Sequence, residues 1–505
     1  MIKAPAHKPA APAGQPKTNS YDLQPPQALL DFMVTGWKAP AGKLPPKIAG
    51  AKNFHARRRA LSAMFPGEWL VIATGHEKVR ANDTTYRFRP GTDFYYFTGN
   101  VEPDGVLMML PQEGGGHRDV LFVEPNPGKT DSTFFTDRSK GELWVGPRLG
   151  VPETAARYGI DEARPLKELP EMIRGLHEGA TRPWRVLRGI DPVLDAQLPA
   201  QTERDKAFAT ALSEMRLLKD SLEISELRKA IKSTQNGFED VIRALPHSET
   251  ERWVEGVFNL RARVEGNDVG YGTIAAAGHH ACTLHWVQND GPVKKGELLL
   301  LDAGVEADTL YTADITRTLP ISGKFSKEQR EIYQLVLDAQ REAFKAVKPG
   351  NDFLEPNRVA MRVLANGLEK LGILPMSADE ALADEHQFYK RYSLHNVSHM
   401  LGLDVHDCAA ARMEAYKFGK LKPGMVLTVE PGLYFQIDDL TVPAKYRGIG
   451  VRIEDDVVVT EKGCTVLSDD IPRETDEVEG WMATLWGKSK PKAKKKPAKA
   501  KKSKR

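Results

Sequence analysis

Four acidic residues stand in stretches of sequence that are otherwise apolar and typical of buried strands. Asp302 ends the run LLLL, and Asp314 follows in YTADITRT. Glu430 ends VLTV, and Glu454 lies inside VRIEDDVVV. Ionised carboxylates in a protein core are costly unless they are paired or bind a metal ion. Four of them, together with a histidine-rich segment, therefore predict a carboxylate-rich metal site.

The ligand types indicate which metal ions such a site would take. Carboxylates with one imidazole suit hard or borderline divalent ions, so Mn²⁺ is the first expectation and Zn²⁺ or Co²⁺ are alternatives. Two metal ions about 3.5–4 Å apart need carboxylates that bridge them, and this set of side chains could supply them. We therefore expect two divalent metal ions.

Taken singly, each carboxylate has a simpler interpretation. An Asp directly after a strand is usually a turn former or a helix cap, which applies to Asp302 and Asp314. Glu454 could be a surface residue in an acidic run that continues with Asp455. Because side chains alternate along a strand, Arg452 and Glu454 would share one strand face, so an ion pair between them is also open.

The segment LHNVSHMLGLDVHD contributes three candidate histidines, His395, His399 and His406. His395 and His399 would share one face if the segment is helical. No Glu follows His395, so the segment is not the H-E-x-x-H zinc motif. A fourth candidate, His285, lies in ACTLHWVQND. A lone histidine is more often structural, but three in one short segment favour a site.

Other catalytic chemistries have less support. The sequence contains no G-x-S-x-G elbow of serine hydrolases and no Walker A or dinucleotide fingerprint. Cys282 and Cys408 lie near candidate histidines, but with a Cys–His nucleophile the four carboxylates would have no role. Together with Cys464, the cysteines are too few and too scattered for a disulfide framework. Cysteine usage therefore fits a reducing cytoplasm.

Length and composition limit how these residues can be positioned. The chain has 505 residues, of which 41% are hydrophobic and 28% charged, as in ordinary globular proteins. At about 100–200 residues per domain, this length predicts two to four domains. No apolar run of about 18 residues occurs, so no transmembrane helix is expected. The charged N-terminus lacks the apolar region of a secretory signal.

The predicted elements divide the chain into four parts. Residues 1–52 are an extension rich in Pro, Ala and Lys, with little packing of its own. Residues 53–217 start with a helix and continue with interleaved strands and helices, which indicates an α/β domain. Residues 218–487 begin with a long amphipathic helix, and residues 488–505 are a Lys-rich tail. The expected fold class is α+β.

Short apolar runs predict the strands, and 3.6-residue periodicity predicts the helices. Strands of the first domain are expected at 69–75, 93–100, 106–110 and 119–125. Strands of the second domain are expected at 297–304, 426–432 and 451–460, and its helices at 220–245, 327–347 and 356–372. Ser221 is the expected N-cap of the first of these helices.

The tail carries a charge opposite to that of the rest of the chain. Residues 488–505 contain ten Lys, one Arg and no acidic residue. Without these 11 positive charges, 60 basic and 68 acidic residues remain, a net charge of −8. A block of like charges is usually solvated, and it can bind polyanions weakly and without sequence preference. Polyanion binding and a purely solubilising tail are both open.

Five blocks of this sequence, in order, resemble the metal-site blocks of the "pita-bread" metallopeptidases, most closely the Xaa-Pro aminopeptidase (aminopeptidase P) family. The blocks are LLLLDAG, TADITRT, SHMLGLDVHD, LTVEPGLY and YRGIGVRIEDD. The segment YRFRPGTDFYYFTGN also resembles the N-terminal domain of that family. The resemblance covers most of the chain, from Asn53 to Asp476. It implies an N-terminal α/β domain followed by a C-terminal pita-bread catalytic domain.

The resemblance implies metal-binding roles for five residues. Asp302 would bind one metal ion through both carboxylate oxygens. Asp314 and Glu454 would bridge the two ions. His399 and Glu430 would complete the shell of the other ion. A water or hydroxide that bridges the ions would attack the scissile carbonyl.

The resemblance also implies catalytic roles around the metal ions. Glu430 is similar to the proton shuttle of the family. His285 and His406 match histidines that line the substrate site and stabilise the tetrahedral intermediate. His395 matches a histidine of the site wall. Arg452 would lie beside the bridging carboxylate and orient it.

The implied reaction is release of the N-terminal residue from peptides whose second residue is proline, by a homodimer or homotetramer. Two alternatives are open: a prolidase, which cleaves Xaa-Pro dipeptides on the same fold, and a non-catalytic binding protein. Two features depart from the family pattern. Asn396 stands where glycine is usual, and the connection from Asp302 to Asp314 is one residue longer, so an enlarged turn is expected near Asp308.

Overall fold

The computed structural model describes residues 25–39, 42–178 and 182–487. The chain forms two compact units that divide between Ala209 and Thr210. Residues 1–24 of the predicted extension and the predicted tail, 488–505, lie outside the described residues. No helix in the described part of the chain combines the length and the apolar character that a membrane crossing requires.

The first unit contains one five-stranded sheet. The strands are β1 (Trp69–Ala73), β2 (Val79–Ala81), β3 (Thr84–Thr85), β4 (Val106–Pro111), β5 (His117–Val123), β6 (Glu162–Pro165) and β7 (Trp184–Val186). The helices are α1 (Gln27–Met33), α2 (Ala51–Met64), α3 (Thr92–Thr98), α4 (Thr133–Thr136), α5 (Glu142–Val145), α6 (Val151–Tyr158), α7 (Leu169–Glu178), α8 (Pro192–Gln197) and α9 (Thr202–Met215). The five-stranded sheet has the order β6-β5-β4-β1-β7, with β6 and β7 parallel to their neighbours, and β2 and β3 form a separate antiparallel pair. Buried side chains of β1, β4 and β5 pack with those of α7 and α8.

The helix that starts near residue 53 and three strands of this unit are confirmed by α2, β1, β4 and β5. The strand predicted at 93–100 is wrong, because the segment forms α3. Its aromatic run is buried on several sides of the helix, and a fully apolar run gives no periodicity that distinguishes a helix from a strand. Gly99 ends the helix with φ of 69°, where a Cβ would collide with Ile48 and Phe54.

The second unit combines long helices with several small antiparallel sheets. The helices are α10 (Ser221–Ala244), α11 (Glu251–Glu265), α12 (Lys327–Ala346), α13 (Glu355–Lys370), α14 (Ala378–Leu382) and α15 (Thr475–Leu485). The strands are β8 (Asp268–Val269), β9 (Ile274–Ala277), β10 (Leu298–Ala303), β11 (Val305–Glu306), β12 (Ile315–Pro320), β13 (Val426–Val429), β14 (Gly432–Tyr434), β15 (Gly450–Arg452), β16 (Asp455–Val459) and β17 (Cys464–Val466). The sheet orders are β12-β10-β9, β11-β8, β13-β16-β17 and β14-β15. The predicted helices and the strand at 297–304 are confirmed, whereas the strand predicted at 426–432 ends at Val429 and β14 begins at Gly432.

The strand predicted at 451–460 is interrupted. β15 pairs with β14, β16 pairs with β13, and Glu454 lies between the two strands. The Glu454 amide N–H instead donates to the Thr316 carbonyl oxygen on β12 at 3.1 Å. The Arg317 side chain donates to the Glu454 carbonyl oxygen at 2.6 Å and to Asp455 at 2.8 Å. The interruption therefore joins the β10–β12 hairpin to the β13–β16 pair.

The connection from β10 to β12 contains a close contact and a tight turn. A Cβ at Gly304 would lie 1.7 Å from the Ala313 carbonyl oxygen, so the two sides of the hairpin approach closely only with glycine. The turn between Ala307 and Tyr311 places Leu310 in the left-handed region, with φ of 63°. Gly304 thus allows the two sides of the hairpin, which carry Asp302 and Asp314, to approach each other closely.

The N-cap of α10 is Asp220, not Ser221. The Asp220 carboxylate accepts from the Glu223 amide at 2.9 Å, and the Glu223 carboxylate accepts from the Asp220 amide at 3.0 Å. This reciprocal capping box satisfies two amide groups of the first turn. Ser221 is exposed and takes the first helical position.

Removal of this cap gives a direct test of the helix start. Asp220→Ala should lower the free energy of unfolding by about 1 kcal/mol, because the Glu223 amide loses its acceptor. Ser221→Ala is the matched control and should change it by less than about 0.5 kcal/mol. The midpoint of urea denaturation measures both effects. A larger effect of Ser221→Ala would return the cap to Ser221.

Candidate metal centre and catalytic site

One cavity of the second unit collects all the candidate site residues. Its volume is about 760 Å³. The predicted residues that line it are His285, Asp302, Asp314, His395, His399, His406, Glu430, Arg452 and Glu454. These residues come from six separate stretches of sequence, and the fold brings together every one of them.

The small sheets position the four carboxylates. Asp302 lies on β10 directly opposite Thr316 of β12, and Asp314 immediately precedes β12. Glu430 immediately follows β13, and Glu454 lies in the interruption between β15 and β16. Because the Glu454 backbone is bonded to Thr316, all four carboxylates meet where the two sheets join.

Three of the candidate ligands form a compact cluster. One donor atom from each of Asp314, His399 and Glu454 lies within 4.8 Å of the other two. His399 Nε2 is 3.3 Å from Asp314 Oδ2 and 3.5 Å from Glu430 Oε1. His399 Nδ1 lies 3.2 Å from the Met400 carbonyl oxygen, to which it can donate, leaving Nε2 directed at the carboxylates.

The histidine-rich segment is not helical. Within the fully described stretch 394–407, the structure shows an isolated β-bridge at Met400 and otherwise irregular backbone. The shared helical face considered for His395 and His399 is therefore wrong. Backbone bonds to β13 replace it: the Thr428 amide donates to the His399 carbonyl oxygen, and the Glu430 amide to that of Val397.

Tyr271 is a site residue that sequence reasoning missed. Its hydroxyl oxygen lies 2.7 Å from Asp302 Oδ1 and 2.5 Å from Asp314 Oδ1, so its single proton is shared between two carboxylates. Thr316 plays a similar part, because its hydroxyl donates to Glu454 Oε2 at 2.6 Å. Tyr271 lies outside the five blocks, and Thr316 lies within TADITRT without having been singled out as a site residue.

Arg452 donates to several groups of the site from a buried position. Its guanidinium donates to Asp302 Oδ2 at 2.5 Å and to the Tyr434 hydroxyl at 2.9 Å. The ion pair considered between Arg452 and Glu454 does not form. The guanidinium of Arg452 pairs with the carboxylate of Asp302 instead. The Tyr434 hydroxyl lies 2.7 Å from His395 Nε2, and His395 Nδ1 can donate to the Asn396 carbonyl oxygen at 2.9 Å. A continuous chain of hydrogen bonds thus runs from Asp302 to His395.

Burial and mutual repulsion make the carboxylates reluctant to ionise. Burial raises the pKa of Glu430 to about 7, and it raises the pKa of Glu454 well above its usual range, with further repulsion from Asp314. Burial also raises the pKa of Asp302, although Arg452 opposes the shift. Burial opposes protonation of His399, but its bond to Asp314 and the charge of Glu430 raise its pKa to about 9. Four carboxylates thus face two cationic side chains, His399 and Arg452, so negative charge is in excess.

The donor set fits divalent metal ions. Four carboxylates and one imidazole nitrogen line the same cavity, and oxygen with nitrogen ligands of this kind suit hard or borderline cations. Bound cations would offset the repulsion among these carboxylates. The three donors within 4.8 Å of one another can share a single ion.

Comparison with known proteins identifies the family. A model of metallopeptidase family M24 matches residues 225–461, and a model of the aminopeptidase P N-terminal domain matches residues 54–184. Xaa-Pro aminopeptidase 1 of Streptomyces coelicolor is 52% identical over 463 residues, which are 91% of this chain and 92% of that protein. The chain belongs to the aminopeptidase P family.

Solved structures of the family show the same architecture. Pseudomonas aeruginosa aminopeptidase PepP has a TM-score of 0.78 at 34% identity, over 88% of this chain and all of that one. Escherichia coli aminopeptidase P with the inhibitor Pro-Leu has a TM-score of 0.76 at 32% identity, over 87% of this chain and 99% of that one. The predicted fold class, an N-terminal α/β domain followed by a pita-bread domain, is confirmed.

The aminopeptidase P family assignment leaves no place for a cysteine nucleophile. Cys282 and Cys408 are buried, and burial raises the pKa of each thiol to about 12, which keeps it protonated and unreactive. The Cys282 thiol donates to the Phe435 carbonyl oxygen instead. The argument against a Cys–His pair therefore agrees with the structure.

Removal of the metal ions should make stability strongly dependent on pH. In the metal-free folded protein, Glu430 keeps its proton up to about pH 7, whereas in the unfolded chain a glutamate releases it near pH 4.5. The folded state therefore binds more protons between these two pH values, and its stability should fall as the pH rises through them. The raised pKa of His399 extends this loss to about pH 9. Tm measured from pH 5 to pH 9 with chelator should therefore fall more steeply than with metal.

Glu454→Gln provides the control for this measurement. It removes one carboxylate of the cluster at nearly constant volume, so the metal-free protein should show a shallower fall of Tm with pH. A Tm of the metal-free protein that rises over the same range would contradict the repulsion between the carboxylates.

Proposed function

We propose that this protein is a metal-dependent Xaa-Pro aminopeptidase, which releases the N-terminal residue from peptides with proline at the second position. The observation that carries this proposal is the convergence of four carboxylates and His399 in one cavity. A relative that is 52% identical over nearly the whole chain bears the name Xaa-Pro aminopeptidase, which supports this reaction over that of a prolidase. A complete ligand set also argues against a non-catalytic binding protein.

Two divalent ions, with Mn²⁺ as the first choice, would be held by five residues. Asp302 would hold one ion, Asp314 and Glu454 would bridge the two, and His399 with Glu430 would hold the other. The contact of His399 Nε2 with both Asp314 and Glu430 supports this division. Bound ions would polarise the scissile carbonyl and activate water as a nucleophile near neutral pH.

The side chains of the cavity would move and stabilise charge. Glu430 would accept a proton near neutral pH and return it to the leaving amine. His285 and His406 would direct N–H groups at the substrate carbonyl oxygen as it gains negative charge. Burial lowers the pKa of His406, so its imidazole is neutral when it donates.

His395 and Arg452 would fix the site wall. Burial and then the charge of Arg452 lower the pKa of His395 to about 4, so its ring stays neutral. With Nδ1 donating to Asn396, Nε2 accepts from the Tyr434 hydroxyl, and this orientation is set by Arg452. Arg452 also orients the carboxylate of Asp302, a proposed metal ligand.

The cavity also suits a proline ring. Proline lacks an amide N–H and fixes φ, so peptidases that bind the substrate through that N–H lose a contact. The apolar lining residues provide a surface for the ring without requiring that donor. They include Ile274, Leu284, Val287, Val405 and Met413.

Assembly, location and the tail complete the proposal. We propose a homodimer or homotetramer, supported by the family resemblance alone. A cytoplasmic location is supported by three cysteines that form no disulfide. The cationic tail, 488–505, would contact polyanions weakly through its lysines.

The proposed activity is tested by metal removal and peptide assay. Purified protein stripped of metal should be inactive, and Mn²⁺ should restore release of free Arg from Arg-Pro-Pro. Asp314→Asn should lower activity more than 100-fold, in the range of lost electrostatic stabilisation, and reduce bound metal. Asp308→Asn is the matched control, because Asp308 is exposed on the same connection and does not line the cavity.

The other outcomes of this assay separate the alternatives. Cleavage of Gly-Pro without cleavage of Arg-Pro-Pro would identify a prolidase. If the protein neither binds metal nor cleaves either peptide, it is a non-catalytic binding protein.

The tail has a separate test. A chain that ends at Gly487 should bind heparin more weakly than the full chain, and the difference should vanish at high salt, because binding through phosphate or sulfate groups depends on counterion release. Peptidase activity serves as the control and should be the same for both chains. Equal retention on heparin would show that the tail makes no such contact.

A further inference from the structure

His285 lies on a segment with few attachments to the fold. Residues 283–288 follow the single helical turn Gly278–Cys282, and four of these six residues are exposed: Thr283, His285, Val287 and Gln288. The His285 imidazole makes no hydrogen bond to any described residue of the protein. Its direction in the cavity must therefore come from the residues beside it.

The neighbouring residue, Trp286, is attached to a buried carboxylate. Glu251, at the start of α11, has no exposed surface, and its two oxygens accept four hydrogen bonds. Oε1 accepts from the Ala277 amide at 2.7 Å and contacts His280 Nδ1 at 2.8 Å. Oε2 accepts from the Trp286 indole N–H at 2.8 Å and from the Gly291 amide at 2.7 Å. Glu251 thus joins β9 to the segment that carries His285.

Packing reinforces this attachment. The Trp286 indole stacks on the His280 imidazole, with ring centroids 4.0 Å apart and planes inclined by 27°. A Cβ at Gly291 would lie 2.5 Å from His280 and 2.8 Å from Glu251 Oε2, so only glycine brings this amide close to the carboxylate. These contacts occupy the side of the segment away from the cavity, which leaves His285 on the cavity side.

A second anchor lies three residues further along the chain. Asn289 is fully buried, accepts from the Ala275 amide at 3.0 Å and donates to the Thr273 carbonyl oxygen at 2.8 Å. Among the described side chains between Cys282 and Asn289, the indole N–H of Trp286 donates a hydrogen bond to a buried acceptor, Glu251. Loss of this bond would leave the position of His285 to the stacking of Trp286 on His280 and to the 3.5 Å bond from Arg452 to the Leu284 carbonyl oxygen, without disturbing Asn289.

We propose that Trp286 is a positioning residue for His285, and that it acts through the hydrogen bond from its indole N–H to Glu251. This inference rests on the proposed aminopeptidase function and names how that site holds one of its histidines. A hydrogen bond to a buried carboxylate is strong, and its geometry is directional. Small displacements of a catalytic group reduce the rate of reaction more than they reduce substrate binding.

The substitution Trp286→Phe removes the N–H and retains an aromatic ring that can stack on His280. In the metal-loaded enzyme, Trp286→Phe should lower kcat for Arg-Pro-Pro by about 10-fold, with KM within about twofold of the original. Trp253→Phe is the matched control: Trp253 lies on α11 and is 56% exposed, and the same substitution should leave kcat unchanged. Bound metal should be equal in all three proteins.

The pathway of the effect is tested in a His285→Ala background. If Trp286 acts through His285, adding Trp286→Phe to His285→Ala should lower kcat no further. A second fall of about 10-fold in the double variant would overturn the proposal, as would an unchanged kcat in Trp286→Phe alone.

A measurement independent of turnover separates this inference from the proposed function. In protein labelled with ¹³C at histidine Cε1 and loaded with Zn²⁺, the His285 signal is the one missing in His285→Ala. Trp286→Phe should shift or broaden that signal and leave the signals of His395 and His406 in place. An unmoved His285 signal would overturn the inference. Absence of peptidase activity in the original protein, with the shift present, would overturn only the proposed function.

Discussion

The concentration of negative charge in one buried place governs this structure. Asp302, Asp314, Glu430 and Glu454 line the same cavity, and each would be costly to ionise alone. The protein supplies one buried guanidinium, Arg452, and hydroxyl donors from Tyr271 and Thr316. These neighbours orient the carboxylates but do not neutralise four charges, so the arrangement is complete only with cations.

The carboxylates could be predicted from sequence because of where they stand. A charged residue at the end of an apolar strand is conspicuous, and five ordered blocks identify the family. Tyr271 could not be predicted in this way, because a tyrosine in a glycine-rich segment is compatible with many environments. Its role arises from the approach of Asp302 to Asp314, which only the three-dimensional structure shows.

The errors in the predicted elements have physical causes. Asp220 and Ser221 are both good N-cap residues, and the choice between them depends on the reciprocal bond with Glu223. The aromatic run at 94–97 is buried throughout, so the type of this element could not be read from periodicity. The segment around His395 and His399 is held by backbone bonds to β13 and, after His406, by the buried ion pairs of Asp407 with Arg216 and Lys219. Contacts distant in sequence decide each of these features.

The break between β15 and β16 has a consequence for local opening of the fold. The Glu454 amide bonds to one sheet while its flanking strands belong to others, so those sheets cannot separate without moving Glu454 away from Asp314. Opening this part of the protein is a cooperative local unfolding event, far slower than side-chain rotation. Ions held between Asp314 and Glu454 would therefore slow this opening of the fold.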